Sequence, residues 1–424
     1  MITTVAIVAI VIFLISLVLG LPVAIGIGFG VLFYLVWSDI PLILIAVRAT
    51  SNLSSIALIA VPLFIFAALL MMESGITRRL VNFCMSLLGW LRGGLALVNV
   101  LIGVIFGGVS GAALSEAASI GSWMIPTMKQ RGYPPEYAAS VTAAASTISP
   151  ILPPSIVVIV AASVAELSVI DLFIAAIVPG LLMGLVLGIA VYAIALYKGH
   201  PREGDFSLAA VGTTFRAALL DLMMPILIIG GVRFGWYTAT EGAAVAVFYA
   251  LLLGAVVYRE LTFEKLVNAA IEAAVITGAV LLLVSLAATM SWIITIERIP
   301  QSIVAHVAGM DMSSWVLVLV LVFWLLIIGM FMDGLAATIL FLPVLLPLAP
   351  LLDMHPYQVT LFVVLAMVLG VLTPPVGVCL FITASIAKVS FLRVAYTVLP
   401  FIGALLIVLL MIAFVPWITL WFLP

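Results

Sequence analysis

Charge is what this chain has least of: Asp, Glu, Lys and Arg make up 8% of its 424 residues, against about 25% in a soluble domain. With 67% hydrophobic residues and a mean hydropathy of +1.47, a water-soluble globule is excluded and the chain belongs in a bilayer. Fifteen basic and 17 acidic residues nearly cancel. No basic run and no Lys/Arg stripe among aromatics is present, which removes nucleic acid as a partner. Cysteine is scarce too, and Cys84 and Cys379 sit alone in apolar runs, so no disulfide framework forms. His200, His306 and His355 are too scattered for a metal-ligand spacing. No Walker-type glycine loop or pair of catalytic carboxylates appears, and no histidine falls in the core of a predicted span. The chain therefore reads as a non-enzyme with no cofactor, unable to hydrolyse ATP. Residues 1 to 19 are apolar but lack a basic n-region and an A-x-A-like site, which predicts a retained first membrane helix.

What is present is a duplicated plan. Adding 221 carries Pro126 onto Pro347, Pro135 onto Pro356, Pro153 and Pro154 onto Pro374 and Pro375, Pro179 onto Pro400 and Gly108 onto Gly329. Each copy holds a short apolar run, a small-residue tip, a second short run and a long apolar segment broken by a double proline. Matching interruptions in paired halves are the sequence mark of a secondary transporter's binding site.

Segment length sorts the runs, because a spanning helix needs about 20 apolar residues. Full spans are predicted near 3–19, 22–37, 55–73, 134–164 (broken), 171–197, 217–235, 241–258, 269–294, 357–387 (broken) and 392–422. The pairs 95–109 with 113–128 and 315–330 with 335–348 read as re-entrant hairpins. The fold class is thus an all-α polytopic membrane protein with about ten spanning helices plus two re-entrant hairpins. Arg78, Arg79, Arg92, Lys129 and Arg131 flank the first hairpin, whereas Asp311, Asp353 and His355 flank the second. Cytoplasmic loops collect Lys and Arg, so the hairpins open from opposite faces and the repeats are inverted. Threading from this anchor puts 12 basic residues inside and only Arg48, Arg233 and Arg298 outside, with both termini outside. The first repeat covers 1–205, with its hairpin at 95–128 and broken helix at 134–164. The second covers 215–424, with hairpin 315–348 and broken helix 357–387. Segments 39–52 and 260–270, mixed polar and apolar before the third and eighth spans, read either as surface helices bracing a moving part or as plain loops.

Bare backbone groups at membrane depth are tolerated only where they line a cavity or are buried in protein. The first break, Ser146 to Ser155, loses three amide donors to proline and offers four hydroxyls. Its oxygens, with the tip, make a first cation constellation of Ser110, Gly111, Ser115, Thr147, Ser149, Pro150 and Pro153. The second comprises Asp333, Gly334, Thr338, Gly370, Thr373 and Pro374. Hydroxyls and freed carbonyls are hard-oxygen ligands suited to Na⁺. Helix halves that start after each tip and break turn positive ends to the midplane, favouring an anionic substrate near Ser155, Glu116 and Gly377. Asp333 either charges the second site or caps the half-helix after it. Asp221 and Glu272 read as interfacial, and Glu241 as a helix cap.

The segments FGGVSGAALSEAASIG, MIPTMKQRGYPPEYAASVTAAASTISPILPPSI, TATEGAAVAVFYAL, GMFMDGLAATILFLPVLLPLA and GVLTPPVGVCLFI together resemble the large membrane subunit of the tripartite ATP-independent periplasmic (TRAP) transporters. The resemblance covers essentially the whole chain. It implies an elevator-type, Na⁺-driven transporter of the bacterial inner membrane, with a transport domain of 95–197 plus 315–424 and a scaffold of 1–73 plus 217–294. It also implies a small four-helix membrane subunit, a periplasmic binding protein and an organic acid anion as partners. By motif, the sodium sites fall on the Ser110 tip with the Ser149–Pro154 break and on the Asp333–Thr338 tip with the Gly370–Pro374 break. The chain departs from the family's common Ser-Gly-Ser and Ala-Asp-Ala at the first tip, reading Ser110-Gly111-Ala112 and Ser115-Glu116-Ala117. A stand-alone organic-anion or sodium/proton exchanger of related architecture is the alternative.

Overall fold

The computed structural model describes residues 3–53, 56–310 and 312–423; Asp311, used above to orient the second hairpin, lies outside the described residues. The described chain is helical throughout, with no strand among those residues. The first half runs α1 (Thr4–Val18), α2 (Val23–Trp37), α3 (Ile43–Leu53), α4 (Ile56–Glu73), α5 (Ile76–Leu88), α6 (Gly94–Ser110), α7 (Ala113–Gln130), α8 (Pro135–Ser146), α9 (Ile156–Val164) and α10 (Val169–Lys198). The second runs α11 (Leu208–Arg233), α12 (Ala239–Leu251) with a π-helical extension over Leu252–Val257, α13 (Phe263–Ile296), α14 (Ile299–Ala308) and α15 (Ser314–Phe331). It ends with α16 (Gly334–Leu345) and a 3₁₀ turn over Leu346–Leu352, then α17 (Pro356–Gly370), α18 (Val378–Ala387), α19 (Phe391–Phe414) and α20 (Trp417–Leu420).

Polar residues set the helix starts inside a sequence otherwise too apolar to mark them. Thr3, Ser155, Ser168, Ser207, Thr238, Thr262 and Asp333 each accept a backbone N–H of the first turn, satisfying donors that a bilayer would leave bare. Thr238 and Glu241 form a reciprocal capping box, the capping role expected of Glu241. From α5 onward the halves keep step: α5 to α10 are followed by α14 to α19 in the same order, with Pro135 opening α8 and Pro356 opening α17.

Several boundaries differ from the sequence reading. Among the described residues, seven helices are long and apolar enough to cross a bilayer, fewer than ten. Two of the seven are arms of the second hairpin, so five predicted spans are missing: α1 and α2 have 15 residues each, both broken spans divide into pieces of 9 to 15 residues, and α4 passes only together with α5, across a 72° bend. Length also fails to separate the second hairpin from true spans, since α15 has 18 residues and α16 with its 3₁₀ turn has 19. Residues 260–270 are no separate helix or loop. They feed a continuous 34-residue α13, where the first half has α3 and α4. Helix α11 begins at Leu208, nine residues ahead of the span predicted at 217–235.

Two packing groups result. In one, α1 lies on α2, α2 and α3 on α13, and α4 between α12 and α13. In the other, α6 and α7 pack on α8, α15 and α16 on α17, while α18 reaches back to α7 and α8, and α9 to α16. The groups meet where α4 touches α9 and α13 touches α16. Burial is densest along the broken helices: every residue from Gln358 to Gly370 is buried, as is every residue from Ala138 to Ala162.

Candidate functional site

Each hairpin tip is pressed against the break of a broken helix by glycine. Gly111 turns the chain at φ +59°, and a Cβ there would lie 2.8 Å from the Ile156 nitrogen, so only glycine lets the first tip abut the start of α9. Gly107 likewise brings its helix against Ser149, whose hydroxyl faces the Gly107 carbonyl at 3.4 Å. At the second tip Asp333 caps α16, its Oδ2 accepting from the Leu335 N–H at 3.1 Å. This is one of the two roles weighed for it.

The two tips then share one space. A cavity of about 180 Å³ is lined by Gly111 and Ser115 from the first tip, Asp333 and Gly334 from the second, and Pro150 and Val371 from the two breaks. Ile276 and Val280 of α13 close it from the other packing group. Ala113, Ile156 and Gly334, the first residues of α7, α9 and α16, are all in its wall. Three positive helix ends therefore converge where an anion would be stabilised. Pro150 and Val371, just past the ends of α8 and α17, bring negative carbonyl ends to the same wall.

The remaining predicted residues are not among the described residues of this lining. Thr147, Thr338 and Thr373 donate their hydroxyl hydrogens to the Ala144, Gly334 and Leu369 carbonyls at 2.6, 2.7 and 2.8 Å. A hydroxyl that has spent its proton keeps only lone pairs, the form a cation ligand requires. Ser155 donates to the Pro150 carbonyl at 2.6 Å and accepts from the Val158 N–H, stapling break to half-helix. Pro153, Thr147, Ser149 and Glu116 are buried, whereas Pro374 is half-exposed. Pro153–Pro154 and Pro374–Pro375 are both cis. Gly370 packs against Gly329, and Gly377, at φ +54°, precedes α18. Ser110 ends α6, and its side chain lies outside the described ones.

Sequence reasoning missed the α13 wall, because Ile276 and Val280 are apolar residues in an apolar helix and give no signal. Two further cavities continue the seam along α13, one of about 450 Å³ holding Ser115, Ser119 and Glu272, the other of about 320 Å³ holding Arg48, Ser163 and Trp292. Glu272 is exposed there. Asp221 is buried within the protein, 1% exposed, and accepts from the Tyr258 hydroxyl at 2.8 Å, inside a network that also holds Arg79 over the Tyr258 ring.

The sequence profile described as "Tripartite ATP-independent periplasmic transporter, DctM component" matches residues 10–418. The chain belongs to the DctM family. DctM relatives include the isethionate TRAP transporter permease protein DctMQ of Oleidesulfovibrio alaskensis, 36% identical over 97% of this chain and 65% of that protein. The sialic acid TRAP transporter permease protein SiaT of Haemophilus influenzae is 35% identical over 96% of this chain and 67% of its own length. The C4-dicarboxylate TRAP transporter large permease protein DctM of Pseudomonas aeruginosa is 33% identical, with 92% of both chains covered. This chain thus spans about two thirds of the first and second of these and nearly all of the third. In fold it is similar to the Alcanivorax borkumensis YdaH transporter, with a TM-score of 0.66, 14% identity and 88% of each chain covered.

Proposed function

We propose that this chain is the transport subunit that carries a small organic acid anion into the cell, coupled to Na⁺, receiving it from a periplasmic binding protein. The observation that supports this most is the single cavity in which both hairpin tips, both breaks and three helix amino termini meet against α13. Cations held on the carbonyl and hydroxyl side and an anion held on the amino-terminal side lower one another's cost at membrane depth. The isethionate, sialic acid and C4-dicarboxylate named for the relatives are all organic anions.

On this reading the repeats are inverted. Helices 1–73 and 217–294 form a scaffold extended by a small four-helix subunit, and 95–197 with 315–424 move as the transport domain. The sodium ligands are those assigned above: Ser110, Gly111, Ser115, Thr147, Ser149, Pro150 and Pro153 at one site, and Asp333, Gly334, Thr338, Gly370, Thr373 and Pro374 at the other.

The test is uptake of radiolabelled isethionate, N-acetylneuraminate and succinate into proteoliposomes holding this chain and its small subunit, with the binding protein outside. Uptake of one of them should need an inward Na⁺ gradient and the binding protein. Ser149→Ala and Thr373→Ala should raise the Na⁺ concentration for half-maximal uptake several-fold, about the worth of one ligand to a charged group. Uptake at full rate without Na⁺ would reject the coupling. Uptake without the binding protein would favour a stand-alone exchanger.

A further inference from the structure

Glu272 is the only charged side chain in the described lining of the cavity of about 450 Å³, and it stands in register with the wall of the central cavity. Glu272, Ile276 and Val280 follow one another at intervals of four on α13, so they share one face of that helix. Ile276 and Val280 close the central cavity of about 180 Å³, and Glu272 lies one turn nearer the start of the helix. The two cavities adjoin, since Ala112, Ser115, Ile156 and Ile276 line both. Arg259 and Lys265 precede Glu272 at this end of α13, which marks it as the cytoplasmic end.

The cations nearby are committed elsewhere. Arg78 and Arg79 reach Glu260 at 3.1 and 2.7 Å, and Lys265 donates to the Glu73 and Glu260 carbonyls, both at 3.1 Å. Glu272 is exposed, and no hydrogen bond or ion pair joins it to another described residue. Across the cavity, Ser115 and Ser119 of α7 add hydroxyls but no charge. A lone carboxylate among neutral walls attracts cations and repels anions, and apolar surroundings screen it poorly. Val280 and Glu272 are eight residues apart, about 12 Å along the helix. Tips that travel inward on this face therefore exchange an apolar neighbour for one that repels their anion and attracts their sodium.

We infer that Glu272 is a charge filter at the cytoplasmic mouth of the central cavity, which draws sodium out towards the cell interior and turns organic anions back from re-entry. The inference rests on the reading of this chain as a sodium-coupled organic-anion carrier, but its test involves neither a sodium gradient nor uptake.

The full chain, with Cys84 and Cys379 replaced by alanine and Ser119→Cys added as a reporter in the same cavity, would be held in lipid nanodiscs free of Na⁺. It would be modified with a cationic (trimethylammonium) or an anionic (sulfonate) methanethiosulfonate, in about 0.1 M KCl, where exposed charges are screened beyond about 10 Å. The signal is the ratio of the cationic to the anionic rate. Glu272→Gln should lower that ratio at least about threefold, Glu272→Asp should keep most of it, and about 1 M KCl should shrink the difference between parent and Glu272→Gln. Ser291→Cys, in the outer cavity of about 320 Å³ at the far end of α13, is the control, and its ratio should not respond. A monodisperse Glu272→Gln protein with the parent ratio overturns the filter, as does a change of equal size at Ser291→Cys. A Ser119→Cys protein that neither reagent modifies overturns the open mouth. Uptake that needs no Na⁺, by contrast, would sink the coupling reading and leave this ratio untouched.

Discussion

Gly329 of α15 and Gly370 at the end of α17 pack backbone to backbone: a Cβ on Gly329 would lie 2.9 Å from the Gly370 Cα and 2.7 Å from the Met367 carbonyl oxygen. Backbone cannot move aside as a side-chain end can, so an added methyl must part the hairpin from the broken helix. Gly329→Ala should therefore cost about 1–3 kcal/mol, the usual range for overpacking, and should abolish uptake by displacing the Asp333 tip. Gly188→Ala is the control, because nothing lies within 4 Å of its would-be Cβ and alanine favours a helix. Thermal unfolding in detergent should separate the two variants.

Asp333 caps α16 through Leu335 and lines the central cavity, and one substitution separates the cap from the charge. Asparagine caps as well as aspartate does, so Asp333→Asn should unfold within about 0.5 kcal/mol of the parent. Its loss of charge should nonetheless raise the Na⁺ requirement for uptake roughly tenfold or more. Unchanged sodium dependence would make the cap its whole role.

The breaks and tips were legible because proline and glycine act through the backbone, which leaves a local signature in any environment. Pro153 and Pro374 cannot continue a helix wherever they stand, and 221 residues of separation between copies made the plan visible. Interior packing leaves no such signature in a chain this apolar. No element was assigned to 76–88, where Arg78, Arg79 and Asn82 interrupt the apolar run, yet Arg79 is pinned by Glu260 at 2.7 Å and lies over Tyr258, and the segment is a 13-residue helix. Helix α14 was missed likewise, because Pro300, Gln301 and His306 dilute its hydrophobicity. The burial of Asp221 left no mark in the sequence either, because its hydroxyl partner Tyr258 is 37 residues away.

A pH dependence should reside at the loop after α10. His200 is 7% exposed and sits edge-on to Tyr137 at 4.4 Å and Tyr133 at 5.3 Å. Burial holds its pKa below the ordinary 6.5, and nearby Lys198 adds to the effect. Glu203 and Arg131 are the other charges here, paired at 3.3 Å, and burial pushes Glu203 upward against the pull of Arg131. Above pH 6.5 His200 is neutral folded or unfolded and costs nothing. As pH falls below 6.5 the unfolded loop binds a proton that the folded one resists, so stability of the packed loop is lost. The amides of Gly93, bonded to Pro201, and of Glu203, bonded to Gly89, should then exchange faster at pH 5.5 than at 7.5 after correction for intrinsic rates. His200→Phe should remove the His200 component of that difference, leaving any opposing contribution of Glu203.

Movement of the site is tested along α13, the helix that carries the seam from Glu272 to Thr295. Ser163, beyond the first break, shares the outer cavity with Ala288 and Ser291, whereas Ile276 and Val280 face the central one. If the second packing group travels inward as a body, Ser163 leaves Ala288 and approaches Val280, a shift of about 12 Å at 1.5 Å of rise per residue. Cys84 and Cys379 are buried free thiols, so both would first be replaced by alanine. In that background, Ser163→Cys with Ala288→Cys should crosslink in one condition and Ser163→Cys with Val280→Cys in another, with Na⁺ and substrate shifting the balance between them. Carrying a loaded ion site inside a protein shell avoids exposing it to lipid, which is why the whole group should move rather than the ions alone. Crosslinking only to Ala288 under every condition, in protein that still transports, would reject rigid-body movement and leave opening of the hairpins as the route across.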